Sequence, residues 1–210
     1  MIYLICALSA IIMTFIGSYW IDKLYESSKE ILTFPDKVIQ RSRFRKPILL
    51  IAFFGLNIHF SKAPSPECFY LVIAAFFLLL VTMTDFEQYL IFDRMILPFT
   101  IIGLIAIFHL NLPLNVHVGT ALVGGGSFLL ISIMSHGALG GGDIKLIAAL
   151  GIWLGYPRLS QAIIAGCIFA GIAALIMLLT KIKDRKSYFA YGPYFALTAI
   201  FILCRFLNLE

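Results

Sequence analysis

The chain has 210 residues, 61% of them hydrophobic and 13% charged, against about 45–50% apolar and about 25% charged in a soluble domain. That excludes an ordinary water-soluble globule and predicts one all-α polytopic bundle whose solvent is the lipid bilayer. The net charge of +5 sits in short loops between apolar runs, a pattern of membrane topology and not of a nucleic-acid-binding surface.

A spanning helix needs about 20 apolar residues. Eight segments qualify approximately, at 2–20, 47–60, 67–85, 95–111, 116–135, 143–156, 159–180 and 190–208, the second and sixth being short. The first has no basic residues ahead of it and is read as a spanning helix, not a cleaved signal peptide. Residues 21–46 form the one sizeable polar stretch, either an interfacial amphipathic helix or a plain loop. Lys and Arg should gather on the inner side. With the N-terminus outside, thirteen fall in inside loops, those of 181–186 among them, and only Lys62, Arg158 and Arg205 fall outside.

Four cysteines (Cys6, Cys68, Cys167 and Cys204) form no C-x-x-C pair, so neither a disulfide framework nor a zinc site is expected. His59, His109 and His117 fall at outside helix ends, where interfacial anchoring is expected. Ser135 and His136 are sequence neighbours that point apart, and there is no G-x-S-x-G elbow. No metal or cofactor is expected.

Acidic residues at the ends of membrane helices need a reason, because burying a charge there is costly. Asp85 closes the apolar run 69–84, and Glu87 and Asp93 follow in what reads as a short loop. On the same side, Gly137-Ala138-Leu139-Gly140-Gly141-Gly142-Asp143-Ile144-Lys145 separates two apolar segments. Such a density of glycine allows positive φ and close backbone approach, so the loop can hold Asp143 at a fixed place. Taken singly, the first acids read as loop solvation and the second feature as a turn with an N-capping Asp. Taken together, they supply two carboxylates at one face. Two such groups cannot both ionise cheaply, so one holds a proton and the other stays charged, which is the equipment for amide hydrolysis.

The segment His136–Gly155, HGALGGGDIKLIAALGIWLG, closely resembles the G-x-G-D segment of bacterial type IV prepilin peptidases, and Asp85–Pro98, DFEQYLIFDRMILP, resembles that family's other aspartate segment. Phe92 stands where the family usually has Pro. Tyr191-Gly192-Pro193-Tyr194 is similar to the family's Phe-Gly-Pro-Phe turn, and Phe15-Ile16-Gly17-Ser18 to its N-terminal Gly-Ser. The resemblance implies a membrane aspartyl peptidase core over 67–210, preceded by an N-terminal helix, a reduced cytoplasmic loop and a second helix over 1–66. It implies Asp85 and Asp143 as the catalytic pair, Gly140 and Gly142 as loop-shaping, and a prepilin or pseudopilin with a short basic leader as substrate. The enzyme would sit in the bacterial inner membrane with its site facing the cytoplasm. Many members carry a cytoplasmic domain with paired C-x-x-C motifs that supports N-methylation. No cysteine occurs between Cys6 and Cys68, so peptidase activity without methyltransferase is expected.

Three further roles are expected. Glu87 and Asp93 support the site or attract the basic leader. If Asp85 closes one helix and Asp143 opens another, opposite dipole ends make Asp143 the ionised base and Asp85 the protonated acid, with Lys145 adding to the bias. The reading from a different class is a small transporter or scaffold whose aspartates bind a cation or fix helix packing. Against it, both acids lie at the inside end and not the midplane, and no inverted repeat is visible.

Overall fold

The computed structural model describes residues 1–137, 139–180 and 190–206. Lys181, Lys183, Arg185 and Lys186, four of the inside charges counted above, lie outside the described residues. Within them the chain is helical, without strands. The helices are α1 (Ile2–Ser27), α2 (Val38–Arg41), α3 (Arg45–Phe60), α4 (Ser65–Gln88), α5 (Asp93–His109), α6 (Leu114–Met134), α7 (Gly141–Leu154), α8 (Arg158–Leu179) and α9 (Gly192–Phe206). Each of the eight expected spans coincides with one helix, and α2 is a single extra turn. Four helices, α1, α4, α6 and α8, are long and apolar enough to cross a membrane. The chain is a multi-pass membrane protein. At 14 residues, α7 is about 21 Å long, short of the roughly 30 Å hydrocarbon core.

Two helices run further than hydropathy alone predicts. α1 continues through Asp22 and Tyr25 to Ser27, and α4 continues through Glu87 to Gln88. Hydropathy stops where polar residues begin, but these polar residues have partners on neighbouring helices, so the helices carry on. Asp22 pairs with Arg45 at 2.6 Å, and Tyr25 donates to Glu87 at 3.0 Å. Glu87 is therefore helical and buried, not part of a solvated loop. The polar stretch 21–46 becomes the end of α1, two 3-10 turns at Lys29–Ile31 and Pro35–Lys37, and α2.

α4 is the central helix. It packs against α1, α3, α5 and α9, while α7 lies against α5, α6, α8 and α9. The apolar stretch of α4 is 67% buried, whereas that of α8 is 17% buried. Without a hydrophobic drive between helices in lipid, small residues permit close packing. Gly125 of α6 sits on Ala148, and Gly151 of α7 sits against the backbone of Ala121, so α6 and α7 form a tight pair.

The three histidines expected to be interfacial anchors each link two helices. His59 donates to the carbonyl of Cys204 (2.8 Å), His109 pairs with the Tyr70 hydroxyl (2.9 Å), and buried His117 donates to the carbonyl of Ile152 (2.7 Å). Each ring satisfies a polar group that lipid would leave unpaired.

Candidate active site

Asp85 stands in the last turn of α4 and is only 5% exposed. The helix ends three residues later because Tyr89 adopts a left-handed conformation (φ 53°), with its N–H bonded to the Asp85 carbonyl at 2.9 Å. Leu90, Ile91 and Phe92 then lead into α5, which opens on Asp93.

Asp143 is the third residue of α7, after the N-cap Gly140. Its carboxylate turns back towards the Gly140 N–H, in the sense of half a capping box. Neither Gly140 (φ −67°) nor Gly142 adopts positive φ; the left-handed positions are His136 (φ 54°) and Gly137 (φ 88°). Gly142 is needed for closeness, since a methyl group there would stand 2.9 Å from Cβ of Ile91.

The third component is the start of α9. The Gly192 N–H faces the Asp85 carboxylate. A methyl group on Gly192 would stand 2.7 Å from Oδ2 of Asp85, 3.3 Å from Oδ1 of Asp143 and 2.8 Å from Cδ1 of Ile91. The two carboxylates thus converge on one side of Gly192, with Ile91 wedged between the backbones of α7 and α9. Those two oxygens, Oδ2 of Asp85 and Oδ1 of Asp143, are buried and have no hydrogen-bond partner among the described residues. Two carboxylates with unpartnered oxygens facing one gap are equipped to share a proton and to hold a water or a carbonyl oxygen between them.

The helix ends act differently from the expectation drawn from the sequence. Asp143 lies in the first turn of α7, as expected, but Asp85 meets the N-terminus of α9 as well as lying near the C-terminus of its own helix. Both acids therefore feel a positive helix end, and dipoles no longer separate a base from an acid. Lys145 does not bear on Asp143; it forms an exposed pair with Asp93 at 2.7 Å, joining the start of α5 to the second turn of α7. Glu87 points away from the aspartates and is taken up by Arg45 at 2.9 Å and by Tyr25.

The turn containing Gly192 is recognisable in the sequence, but nothing there gives it a place in the site, and Ile91 and Arg45 carry no mark at all. The density of glycine around residue 140 is a visible signal; a lone Ile or Arg gives none. Among the described residues, no three of His, Cys, Asp and Glu come together as a metal site requires.

Comparison with known proteins points to one family. Residues 72–175 match the type IV leader peptidase family. The chain is 34% identical over 125 residues to a prepilin leader peptidase/N-methyltransferase of Neisseria gonorrhoeae, covering 56% of this chain and 42% of that protein. It is 32% identical over 133 residues to the protein of the same name from Pectobacterium carotovorum subsp. carotovorum (60% and 47%), and 28% identical over 139 residues to that of Bacillus subtilis (65% and 55%). The chain spans about half the length of the curated relatives it matches. No solved structure gives a significant match. Asp85, Ile91 and Asp143 all lie within the stretch, residues 72–175, that matches the type IV leader peptidase family.

Proposed function

We propose that the protein is a membrane-embedded aspartyl endopeptidase that removes the short basic leader of type IV prepilins or pseudopilins at the cytoplasmic face of the bacterial inner membrane. The observation that carries this reading is the convergence of Oδ2 of Asp85 and Oδ1 of Asp143 on Gly192. The names of the relatives supply the substrate class.

One carboxylate, ionised, takes a proton from the attacking water, and the other, protonated, hydrogen-bonds the scissile carbonyl oxygen. The roles exchange as the tetrahedral intermediate collapses and the leaving amine gains its proton. The bias of Lys and Arg towards one side of the chain supports a cytoplasm-facing site. The reading gives no methyltransferase activity, since the stretch 21–46 carries no C-x-x-C pair. In this reading residues 67–210 form the peptidase core and residues 1–66 support it.

Co-expression of a prepilin-like reporter with wild type, Asp85→Asn, Asp143→Asn and Asp93→Asn tests the proposal, membrane insertion being checked for each. Loss of cleavage in the first two variants alone supports it. Cleavage that survives either change removes that residue from catalysis and returns the transporter or scaffold reading.

A further inference from the structure

The three residues after Asp85 are each held by a different residue of the segment 34–45. Arg41 Nη2 donates to the Phe86 carbonyl at 2.8 Å. Arg45 Nε donates to Glu87 Oε1 at 2.9 Å. The Phe34 N–H donates to Gln88 Oε1 at 2.9 Å, and Gln88 Nε2 donates back to the Phe34 carbonyl at 3.3 Å. The Arg41 guanidinium also lies over the Phe34 ring, 4.2 Å from its centroid, and 5.3 Å from that of Tyr89.

These contacts are anchored in turn to α1. Arg45, 2% exposed, donates through Nη1 to Asp22 (2.6 Å) and to the Ser18 carbonyl (3.1 Å), and Tyr25 donates to Glu87. The chain from α1 through Arg45 to the end of α4 is continuous and buried at its centre.

The last turn of a helix has carbonyls without intrahelical partners, and such turns fray. Asp85 occupies that turn, and its carbonyl is bonded by the Tyr89 N–H, just beyond the helix end. Opening of the turn would carry the Asp85 carboxylate away from Asp143 and Gly192. A displacement of about 1 Å is enough to cost about a hundredfold in rate. The clamp's residues, 34–45, precede the stretch matched to the family, residues 72–175.

We propose that the segment Phe34–Arg45 is a positioning clamp that holds the last turn of α4 closed, so that Asp85 stays opposite Asp143. The proposal rests on the catalytic reading of Asp85 given above.

The test uses the full chain in proteoliposomes, with kcat and KM for a prepilin-like reporter and hydrogen exchange of the 86–90 amides as separate readouts. Arg41→Ala removes one contact at a partly exposed site. Arg45→Met with Glu87→Met replaces the buried pair by apolar side chains, so that no buried charge is left unpaired; Asp22, the other partner of Arg45, has a side chain 52% exposed and stays solvated. Both variants are expected to lower kcat about tenfold with KM little changed, and to speed exchange at Tyr89. Arg41→Lys, which keeps a donor for the Phe86 carbonyl, is expected to recover most of the kcat. Unchanged kcat and unchanged exchange in both variants overturn the proposal, as does a fall in thermal stability with kcat per folded molecule intact. A wild type that cleaves nothing overturns the proposed function instead, and exchange at Tyr89 still decides whether the segment holds the turn.

Discussion

A methyl group on Gly192 would stand 2.7 Å from Oδ2 of Asp85, closer than any side chain tolerates, because the backbone of α9 begins directly beside the carboxylate of α4. The missing side chain is what lets Asp85 and Asp143 face one gap. Gly192→Ala is therefore expected to reduce cleavage at least about a hundredfold while costing about 1–3 kcal/mol of stability. Reporter cleavage together with a thermal melt of the purified protein checks both numbers.

Gly142 faces a different obstacle. A methyl group there would meet Cβ of Ile91 at 2.9 Å, which shortening the Ile91 side chain cannot remove. Gly142→Ala should slow cleavage and lower stability by about 1–3 kcal/mol. Adding Ile91→Val should leave the defect in place, whereas Ile91→Gly should relieve it. Recovery with Val would show that the far end of the side chain, and not its Cβ, sets the spacing of α7.

At Gly140 the N–H matters more than the absence of a side chain. Its φ of −67° and ψ of 141° suit proline, but proline has no hydrogen to donate to Asp143. A hydrogen bond to a charged group contributes about 1.5–3 kcal/mol, so Gly140→Pro should lower kcat by about ten- to a hundredfold. Gly140→Ala keeps the N–H and should fall much less, its methyl standing 3.2 Å from the end of the Asp143 side chain. Equal kcat values for the two variants would count against the hydrogen bond.

The Asp93–Lys145 pair is exposed on both sides, at 69% and 53% of the side chain. Exposed pairs contribute about 0–1 kcal/mol and are screened by salt. Lys145→Ala and Asp93→Asn should each leave kcat within about twofold, and the small loss should vanish at high ionic strength. A salt-independent loss would assign this pair a direct part in the site.

Arg45 is bound to two carboxylates and 2% exposed. Arg45→Met alone leaves Glu87 buried without its cation, at a cost of about 3–5 kcal/mol. Denaturation of the single variant against Arg45→Met/Glu87→Met should show the second substitution recovering part of that loss, because an apolar pair has no charge to desolvate, while the buried Tyr25 hydroxyl loses its acceptor.

Much of the architecture was legible along the chain. Runs of apolar residues predict spanning helices because lipid leaves backbone groups no other partner, and each of the eight runs coincides with a helix. Asp85 and Asp143 stood out because a charge at a membrane helix end is costly wherever it occurs, a local fact. The same local reading put Glu87 in a loop and Lys145 beside Asp143, since neither Arg45, 42 residues away, nor Asp93, 52 residues away, is visible from its partner in sequence.

By itself, then, the sequence determined which segments are helical and which acids stand out as candidates for the chemistry, since hydropathy and charge cost act residue by residue. The tertiary structure alone decided that α9 enters the site through Gly192, that Ile91 spaces α7 from α9, and that α4 outruns its apolar stretch to be fastened by Arg41 and Arg45. These follow from close approach between segments far apart in the chain, where a contact of a few ångströms depends on how helices pack and not on any pattern within one of them.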